Sequence, residues 1–532
     1  MVEVTASPRL NAPGFPRARW AAGSFLELQQ GRSSSFSWVV ARALAGSFLK
    51  LDGPVGRGVG LIGPCPHGGS GRTTNDRFAV NRRVLARAGR GNRAQLRGTI
   101  PPWLGLEVPV SGSGSTTIEQ HEFSNGLVLL AEDMPGVRSA AFSLLLPAGA
   151  AFETAEGLNV GCGAATMVAE WITRGAGSRD SRQLLTSLDN LGVMHSESAQ
   201  TLHTTLSAAT LGSNLEAALE IFADMVLRPW CEEREVEPIR ALCLQNLRSL
   251  EDDPGTKVIY ELRRRHFPEP WGRPSPGTPE GIANLSAADL RAFRQAHYRP
   301  NGAILGVAGA IDWPRLRDSV GRLFGDWEPR PQPRLCEQPA GPRRDHITRE
   351  TQQIQIALAH PVATVDSVDY YRARAAVAIL GGYSSARLFT EVREKRGLCY
   401  SVYASYESQR ERAAMLCYAG TSADRAQQTL EVMLGELARL AREGVEADEL
   451  EMMRAGLKSS LIMAQESSMS RSGALASDWY FLGRVRPIEE IAAALDALTP
   501  ESVSDYARSF GATDHLTILT LGPAPLTCPA AV

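Results

Sequence analysis

The 532-residue chain lacks any apolar run that approaches the roughly 20 residues a helix needs to cross a bilayer. We therefore expect no membrane span. Its composition, with 43% apolar and 21% charged residues, is ordinary for a globular protein. Because one hydrophobic core seldom organises so long a chain, the length predicts two or three domains.

Paired cysteines are absent too. No two of the eight cysteines form a Cys-x-x-Cys pair, and they lie in scattered apolar or loop-like contexts at positions 65, 162, 231, 243, 336, 399, 417 and 528. This spacing indicates neither a disulfide framework nor a cysteine zinc site. Together with the lack of a secretory signal, it favours a reducing compartment. We expect a cytoplasmic protein, with the periplasm and organelles left open.

Acidic residues are scarce at one end only. Residues 1–115 contain 5 acidic and 15 basic residues, a net charge of about +10, whereas the whole chain carries −2, so the remaining body is near −12. An acidic body argues against nucleic acid as a partner, because phosphate binding needs concentrated positive charge. A modest preference for basic peptides stays open.

The basic segment, residues 1–115, also lacks sustained apolar periodicity and is rich in Gly, Arg, Ser and Pro. This composition predicts a largely disordered extension. Its Arg-rich, acid-poor character overlaps with that of an organelle transit peptide, but the charged-then-apolar order of a secretory signal is missing. A dispensable extension, or a start codon assigned too far upstream, is the favoured interpretation.

A regular pattern begins at about residue 117. Two strand-like runs flank Asn125-Gly126 within residues 122–132, which predicts a β-hairpin, and a third run follows at 140–147. Apolar periodicity then predicts helices near 159–174, 180–191, 214–228 and 234–252. Strands are predicted near 193–209, and a buried strand ends near Gly309.

The pattern then repeats along the chain. Leu184-Leu-Thr and Leu219-Glu-Ile correspond to Leu388-Phe-Thr and Leu430-Glu-Val, which lie 204 and 211 residues further on. We therefore predict an α+β body of two homologous α/β domains, at 117–328 and 345–522. Closely spaced prolines lock φ and predict a semi-rigid linker at 329–344, and residues 523–532 are predicted to form a flexible tail.

The second copy contains the most informative segment, Arg393-Glu-Lys-Arg-Gly-Leu-Cys-Tyr400, which follows Gly381-Gly-Tyr-Ser-Ser-Ala-Arg-Leu-Phe-Thr-Glu-Val. These residues resemble the second-domain signature of the pitrilysin/insulinase peptidases, which include the mitochondrial processing peptidase. The resemblance spans about 400 residues. It implies two antiparallel-rich mixed sheets flanked by helices, in a half-clamshell. It also implies that Arg393 and Tyr400 bind the substrate carbonyl where negative charge develops.

A metal-binding member of that family would carry His-x-x-Glu-His on the first long helix of its first domain, where helical spacing places both histidines on one face. By the resemblance, those positions fall here on Thr166, Ala169 and Glu170, and the third ligand position falls on Asn246. A catalytic zinc site needs three protein ligands, so we expect this chain to bind no metal. His195 and His203, eight residues apart on predicted neighbouring strands, leave a relocated site as an alternative.

Simpler interpretations exist for each candidate residue. Glu170 has the i,i+4 spacing of a salt-bridge partner for Arg174. The charged run from Arg393 to Arg396 is typical of a helix end, and Tyr400 of a packed strand residue. The conjunction of the Ser384-Ser-Ala-Arg-Leu-Phe run, the break at Gly397 and the seven-residue interval to Tyr400 favours substrate contact for Arg393 and Tyr400, with Lys395 and Arg396 as plain surface charge.

The resemblance implies the non-metal subunit of a heterodimeric zinc peptidase. Zinc would be carried by a homologous partner chain, and the two chains would enclose an extended peptide. The alternative is a catalytically inactive scaffolding homologue, similar to the core proteins of respiratory complexes. A stand-alone zinc peptidase is disfavoured by the residues at the four metal-ligand and general-base positions.

Overall fold

The computed structural model describes residues 117–155, 157–511 and 513–527. The predicted disordered extension lies outside the described residues, and so do positions 528–532 of the predicted tail. Within the described ranges, every helix is too short or too polar to cross a membrane.

The first half of the body, residues 117–328, contains one large sheet. Its strands and those of a small hairpin are β1 Ile118–Glu122, β2 Val128–Asp133, β3 Ser139–Leu146, β4 Gly175–Ala176, β5 Arg179–Asp180, β6 Met194–Ala199, β7 Thr204–Leu211 and β8 Ile304–Gly309. The large sheet has the order β1-β2-β8-β3-β7-β6, and β2 is parallel to β8. The hairpin predicted around Asn125 is confirmed by the antiparallel pairing of β1 with β2.

The second half, residues 344–522, contains a five-stranded sheet. Its strands are β9 Arg344–Thr348, β10 Gln353–Pro361, β11 Cys399–Gln409, β12 Arg412–Ser422 and β13 Thr517–Gly522, in the order β11-β12-β10-β13-β9. Read from the other edge, this order reproduces β2-β8-β3-β7-β6, with the parallel pair β9/β13 in the place of β2/β8. The prediction of two copies of one α/β unit is therefore confirmed, with β1 as an added strand.

Fourteen α-helices in the described ranges flank these sheets. They are α1 Ala164–Trp171, α2 Ser181–Asn190, α3 Leu215–Leu227, α4 Val236–Glu251, α5 Pro254–His266, α6 Pro279–Asn284, α7 Ala287–His297, α8 Trp313–Phe324, α9 Tyr370–Gly381, α10 Ala426–Glu443, α11 Ala447–Gln465, α12 Ser468–Leu482, α13 Ile488–Asp496 and α14 Pro500–Ala507. A π-helix spans Phe389–Glu394. Several of the α-helices are preceded by a capping residue. Before α2, the side chain of Asp180 accepts a hydrogen bond from the Gln183 amide.

Helix α1 is shorter than the predicted helix at 159–174. Gly163, immediately before it, has a left-handed backbone with φ of 117°, a conformation that glycine adopts without steric penalty. The helix therefore begins at Ala164. It ends at Trp171, and the chain turns toward β4.

Two helices pack across the body on the sheet of the other half. Helix α5 contacts β10 and β13, where Leu262 lies in a cluster with Leu519. Helix α12 contacts β3 and β8, where Leu475 packs on that sheet. The predicted limits of the two domains stay a prediction. The last strand of the first sheet ends at Gly309 and the second sheet begins at Arg344, whereas these two helices each pack on the sheet of the other half.

The crossing of α12 is accompanied by a buried ion pair. Arg471 Nε lies 2.8 Å from Glu132 Oε2 on β2, and both side chains are less than a tenth exposed. Ser139 and Ser468 add a hydroxyl contact of 3.2 Å between α12 and the start of β3. A buried pair of this kind makes each charge dependent on the other, because neither has water to solvate it.

Candidate functional site

The π-helix ends in a tight turn that brings Arg393 close to Tyr400. Gly397 takes a φ of 58° in this turn, and its amide donates to the Arg393 carbonyl at 3.0 Å. Arg425 donates from Nη1 to the Gly397 carbonyl at 2.6 Å, which ties the turn to the start of α10. Strand β11 then begins at Cys399. The structure thus places Arg393 at a helix end and Tyr400 at a strand start, as the sequence predicts.

The Arg393 guanidinium lies between two aromatic rings. Its central carbon is 4.7 Å from the centroid of Phe389 and 5.3 Å from that of Tyr400. Arg393 is exposed, and Tyr400 is 82% exposed. In the part of the chain that the structure describes, neither the guanidinium nor the Tyr400 hydroxyl makes a hydrogen bond to another residue. Both groups therefore present N–H and O–H donors to an incoming molecule.

The other two cations of the segment are occupied. Lys395 Nζ lies 2.7 Å from Glu391 Oε1, and Arg396 Nη1 donates to the Glu391 carbonyl at 2.8 Å and also to its carboxylate. Hydrogen bonds from Lys395 and Arg396 lower the pKa of Glu391 to about 2. The prediction that Lys395 and Arg396 are plain surface charge is consistent with these pairs. Arg393 is left as the cation that is available to a ligand.

The arginine of the preceding Ser-Ser-Ala-Arg run has a structural position. Arg387 is buried, and its Nε and Nη2 lie 2.6 and 2.7 Å from the two carboxylate oxygens of Glu449. The same Nη2 donates to the Gly444 carbonyl at 2.6 Å. Arg387 thereby fixes the start of the π-helix against α11.

The first half places the positions of the expected zinc motif on α1. Thr166 Oγ1 donates to the Ser275 carbonyl at 2.6 Å, and Ala169 is buried. Glu170 Oε2 lies 3.8 Å from Arg174 Nη2, which is the i,i+4 pair expected from the spacing. The Thr166 hydroxyl is therefore engaged, Ala169 has no ligand atom, and the Glu170 carboxylate faces Arg174.

Glu170 has one cationic and one acidic neighbour, Arg174 and Glu197. Burial raises the pKa of its carboxyl, Arg174 opposes that rise, and Glu197 adds to it. Asn246, the expected position of the third ligand, is exposed on α4, which packs on α1. Thr166, Ala169, Glu170 and Asn246 therefore do not fit a zinc ion. A metal at these positions would have one carboxylate where three ligands are needed.

The histidines do not replace this site. His195 Nδ1 lies 2.9 Å from Glu197 Oε1, whereas the His203 ring packs against Tyr480 with centroids 5.2 Å apart. Burial lowers the pKa of His203 to about 4. Across the described ranges, no group of three or more His, Cys, Asp or Glu residues is placed to hold a metal ion.

A buried carboxylate lies at the start of α1. Glu153 is fully buried, and its Oε1 accepts from the amides of Gly163 and Ala165 at 2.9 and 3.0 Å. Its Oε2 lies 4.0 Å from Arg273 Nη1. Burial raises the pKa of Glu153 to about 7, although the two amides and Arg273 favour the charged form. The carboxylate satisfies orphan N–H groups at the helix N-terminus.

The structure brings Arg393 and Tyr400 together at the junction of the π-helix with β11, while α1 packs on α4, α7 and β6 in the other half.

Sequence reasoning missed Phe389 and Glu391. Signals for both were present: Phe389 is four residues before Arg393, and Glu391 is four before Lys395, spacings that place side chains together on a helix.

Two family models match successive parts of the chain. The model of the insulinase family, peptidase family M16, matches residues 128–270, and the model of the peptidase M16 inactive domain matches residues 284–457. The chain is 28% identical over 402 residues to the uncharacterized zinc protease YmxG of Bacillus subtilis, covering 75% of this chain and 97% of the relative.

Two further relatives support the match along the same length. The uncharacterized zinc protease Mb2805c of Mycobacterium bovis is 28% identical over 392 residues, covering 72% of this chain and 88% of the relative. The crystal structure of a peptidase M16 inactive domain from Pseudomonas fluorescens superposes with a TM-score of 0.70 at 22% identity, covering 78% of this chain and 99% of that one. The latter shows that the fold is shared.

Proposed function

The chain belongs to the M16, or insulinase, family of peptidases, and from that membership we propose that it is the non-metal subunit of a two-chain zinc peptidase. In this proposal Arg393 and Tyr400 donate hydrogen bonds to the carbonyl oxygen of a bound peptide. The partner is a homologous chain that carries the zinc motif, and the substrate is an extended peptide held between the two chains.

The exposed Arg393–Tyr400 pair is the observation that carries the proposal. A guanidinium and a phenol, held by a helix end and a strand start, can donate to the oxygen on which negative charge develops during amide hydrolysis. Preorganised donors of this kind contribute about 3–4 kcal/mol each, or roughly 10²- to 10³-fold in turnover. Neither side chain would need to break a hydrogen bond within the described residues before it binds substrate.

The first half explains why a second chain is needed. Hydrolysis by a zinc peptidase requires a water activated at an open metal position. The side chains of Thr166, Ala169, Glu170 and Asn246 do not supply the ligands for that metal. The metal and its water are therefore assigned to the partner, and this chain contributes binding and electrostatic stabilisation.

The test is to co-purify the chain with a zinc-motif homologue from the same organism and to measure peptide hydrolysis. Arg393→Ala and Tyr400→Phe are compared with the native chain and with Arg508→Ala, which removes an exposed guanidinium 70% accessible to solvent. We expect turnover to fall roughly 10²- to 10³-fold in the first two variants and to be unchanged in the control, with assembly intact.

Two outcomes contradict the proposal. Full turnover in both variants means that the pair does not contact substrate, and the split-site model fails. Stoichiometric zinc in the isolated chain with unaided hydrolysis means that the first half is an active site in its own right. Variants that lose assembly while retaining turnover per complex favour the scaffolding alternative.

A further inference from the structure

Phe389 is the fixed member of the aromatic pair that encloses Arg393. It lies on the π-helix, is partly buried, and packs against the apolar core of the second half. Tyr400, in contrast, is 82% exposed at the start of β11. The Phe389 ring is thus held by packing, and the Arg393 guanidinium lies over it at 4.7 Å.

Arg393 differs from its neighbouring cations in what holds it. Lys395 Nζ and Arg396 Nη1 each donate to the Glu391 carboxylate, which holds both side chains. Arg393 has no acidic partner in the residues that the structure describes. A long exposed arginine without such a partner has several rotamers open to it, and ordering it carries an entropic penalty.

An aromatic ring restrains a guanidinium differently from a carboxylate. The ring face attracts the cation through its quadrupole, and the contact involves the flat face of the guanidinium. In a guanidinium stacked on a ring the N–H groups lie in a plane parallel to the ring, so none of them is directed at the ring. Stacking can therefore orient Arg393 while its donors remain available, which a salt bridge could not do.

We propose that Phe389 is a positioning residue: its ring holds the Arg393 guanidinium in the orientation that donates to substrate. This inference rests on the proposed function, because it assigns Phe389 a role only if Arg393 binds the substrate carbonyl. The turn at Gly397 and the Phe389 ring act on different parts of Arg393, one setting the backbone and the other the side chain.

The test uses Phe389→Leu, which removes the ring, and Phe389→Tyr, which keeps it. In the full chain alone, NMR of labelled arginine reports the ring-current shift of the Arg393 side-chain protons. We expect the part of this shift that is due to the Phe389 ring to be lost in Phe389→Leu and kept in Phe389→Tyr, and Tyr400→Leu gives the part that is due to the other ring. Thermal unfolding of each variant shows whether the second half is still folded.

The same variants are assayed with the zinc-motif partner and peptide substrate. We expect kcat to fall roughly 10- to 100-fold in Phe389→Leu with KM unchanged, since misplacement of a catalytic group acts on the reacting geometry. Phe389→Tyr is expected to restore kcat. A purely structural role of Phe389 would instead change the amount of folded complex and leave kcat per complex unaltered.

The outcomes separate this inference from the proposed function. If Arg393→Ala lowers turnover but Phe389→Leu does not, the positioning role is wrong and the proposed function stands. An Arg393 shift that is as large in Phe389→Leu as in the native chain overturns the positioning role by itself. If Arg393→Ala retains full turnover, the proposed function fails and the positioning role fails with it. Should Phe389→Leu not fold, Phe389→Met, which fills the space without a ring, replaces it in both measurements.

Discussion

The two halves of the body share one strand order, yet they present different chemistry at α1 and at the junction of the π-helix with β11. In the first half, α1 presents an engaged threonine, a buried alanine and a glutamate that faces Arg174. In the second half, the π-helix and β11 present an exposed guanidinium and phenol whose donors are unoccupied within the described residues. A shared scaffold thus determines where side chains stand, and the residue types decide what each place can do.

One buried carboxylate in each half gives a second contrast, Glu153 in the first half and Glu391 in the second. Glu153 in the first half has two backbone amides and a distant arginine, and burial dominates its pKa. Glu391 in the second half has two close cations, whose hydrogen bonds dominate. Helices α5 and α12, which each pack on the sheet of the other half, nevertheless couple the two halves. Three measurements of stability test the contrast between the halves.

The largest expected effect comes from breaking the buried ion pair between Arg471 and Glu132, which joins the two halves. Arg471→Met leaves Glu132 buried without its partner, and we expect a loss of about 3–5 kcal/mol in the free energy of unfolding. Urea denaturation of the native chain and the variant measures it. The double variant Glu132→Leu/Arg471→Met, which removes both charges, is the matched control.

We expect the double variant to recover most of the lost stability, because no unpaired charge is left in the apolar contact between α12 and β2. If Arg471→Met is as stable as the native chain, the ion pair does not hold α12 on the first sheet. The two halves would then be more independent than their packing indicates.

The second expected effect is a difference in pH dependence between the halves. The pKa of Glu153 is raised from 4.5 to about 7, so its contribution to stability is present below about pH 4.5 and is lost as pH rises through 7. The pKa of Glu391 is lowered to about 2, so its contribution is present above about pH 4.5 and is lost as pH falls through 2.

Urea unfolding between pH 2 and pH 8 measures both contributions. We expect Glu153→Gln to flatten the decline between pH 4.5 and 7, an effect of up to about 3 kcal/mol, and Glu391→Gln to flatten the decline below pH 4.5. Each variant serves as the control for the other, because their pH windows do not overlap. A Glu153→Gln curve with the native slope above pH 4.5 would show that the burial of this carboxyl has no energetic consequence.

The smallest expected effect concerns the turn that brings Arg393 to Tyr400. Gly397 has a φ of 58°, and no atom lies within 4 Å of the place that a Cβ would take there, so Gly397→Ala meets backbone strain without a clash. We expect a loss of about 1 kcal/mol in stability. Gly397→Asn, a residue that tolerates this conformation, is expected to lose less. Equal losses in a thermal unfolding experiment would contradict this account.

Sequence patterns were sufficient to predict much of the fold and the pairing of Arg393 with Tyr400. The hairpin at Asn125 and the two-copy architecture follow from turn chemistry and from a repeat of short apolar motifs, both local properties. The start of α1 was predicted less accurately. Apolar periodicity extends back to residue 159, whereas the left-handed backbone of Gly163 sets the helix start at Ala164. Periodicity reports which residues can share a face and is insensitive to a single left-handed residue.

The remaining site residues show a similar limit. The interval between Arg393 and Tyr400 indicated a pair, and Phe389 lies four residues before Arg393, but the packing that holds the Phe389 ring against the second-half core has no local signature. The engagement of Thr166 by Ser275, 109 residues away, likewise has no local signature.

By itself, the sequence determined which chemistry is possible. The four positions where zinc ligands and the general base are expected carry no suitable set of side chains, whereas the second half carries Arg393 and Tyr400. These are properties of residue identity, which no folding can change. Tertiary structure alone decided how the two halves are coupled, as by the pair of Arg471 with Glu132, 339 residues apart. Such pairings depend on distances between side chains that packing brings together, and residue order encodes those distances only through the whole fold.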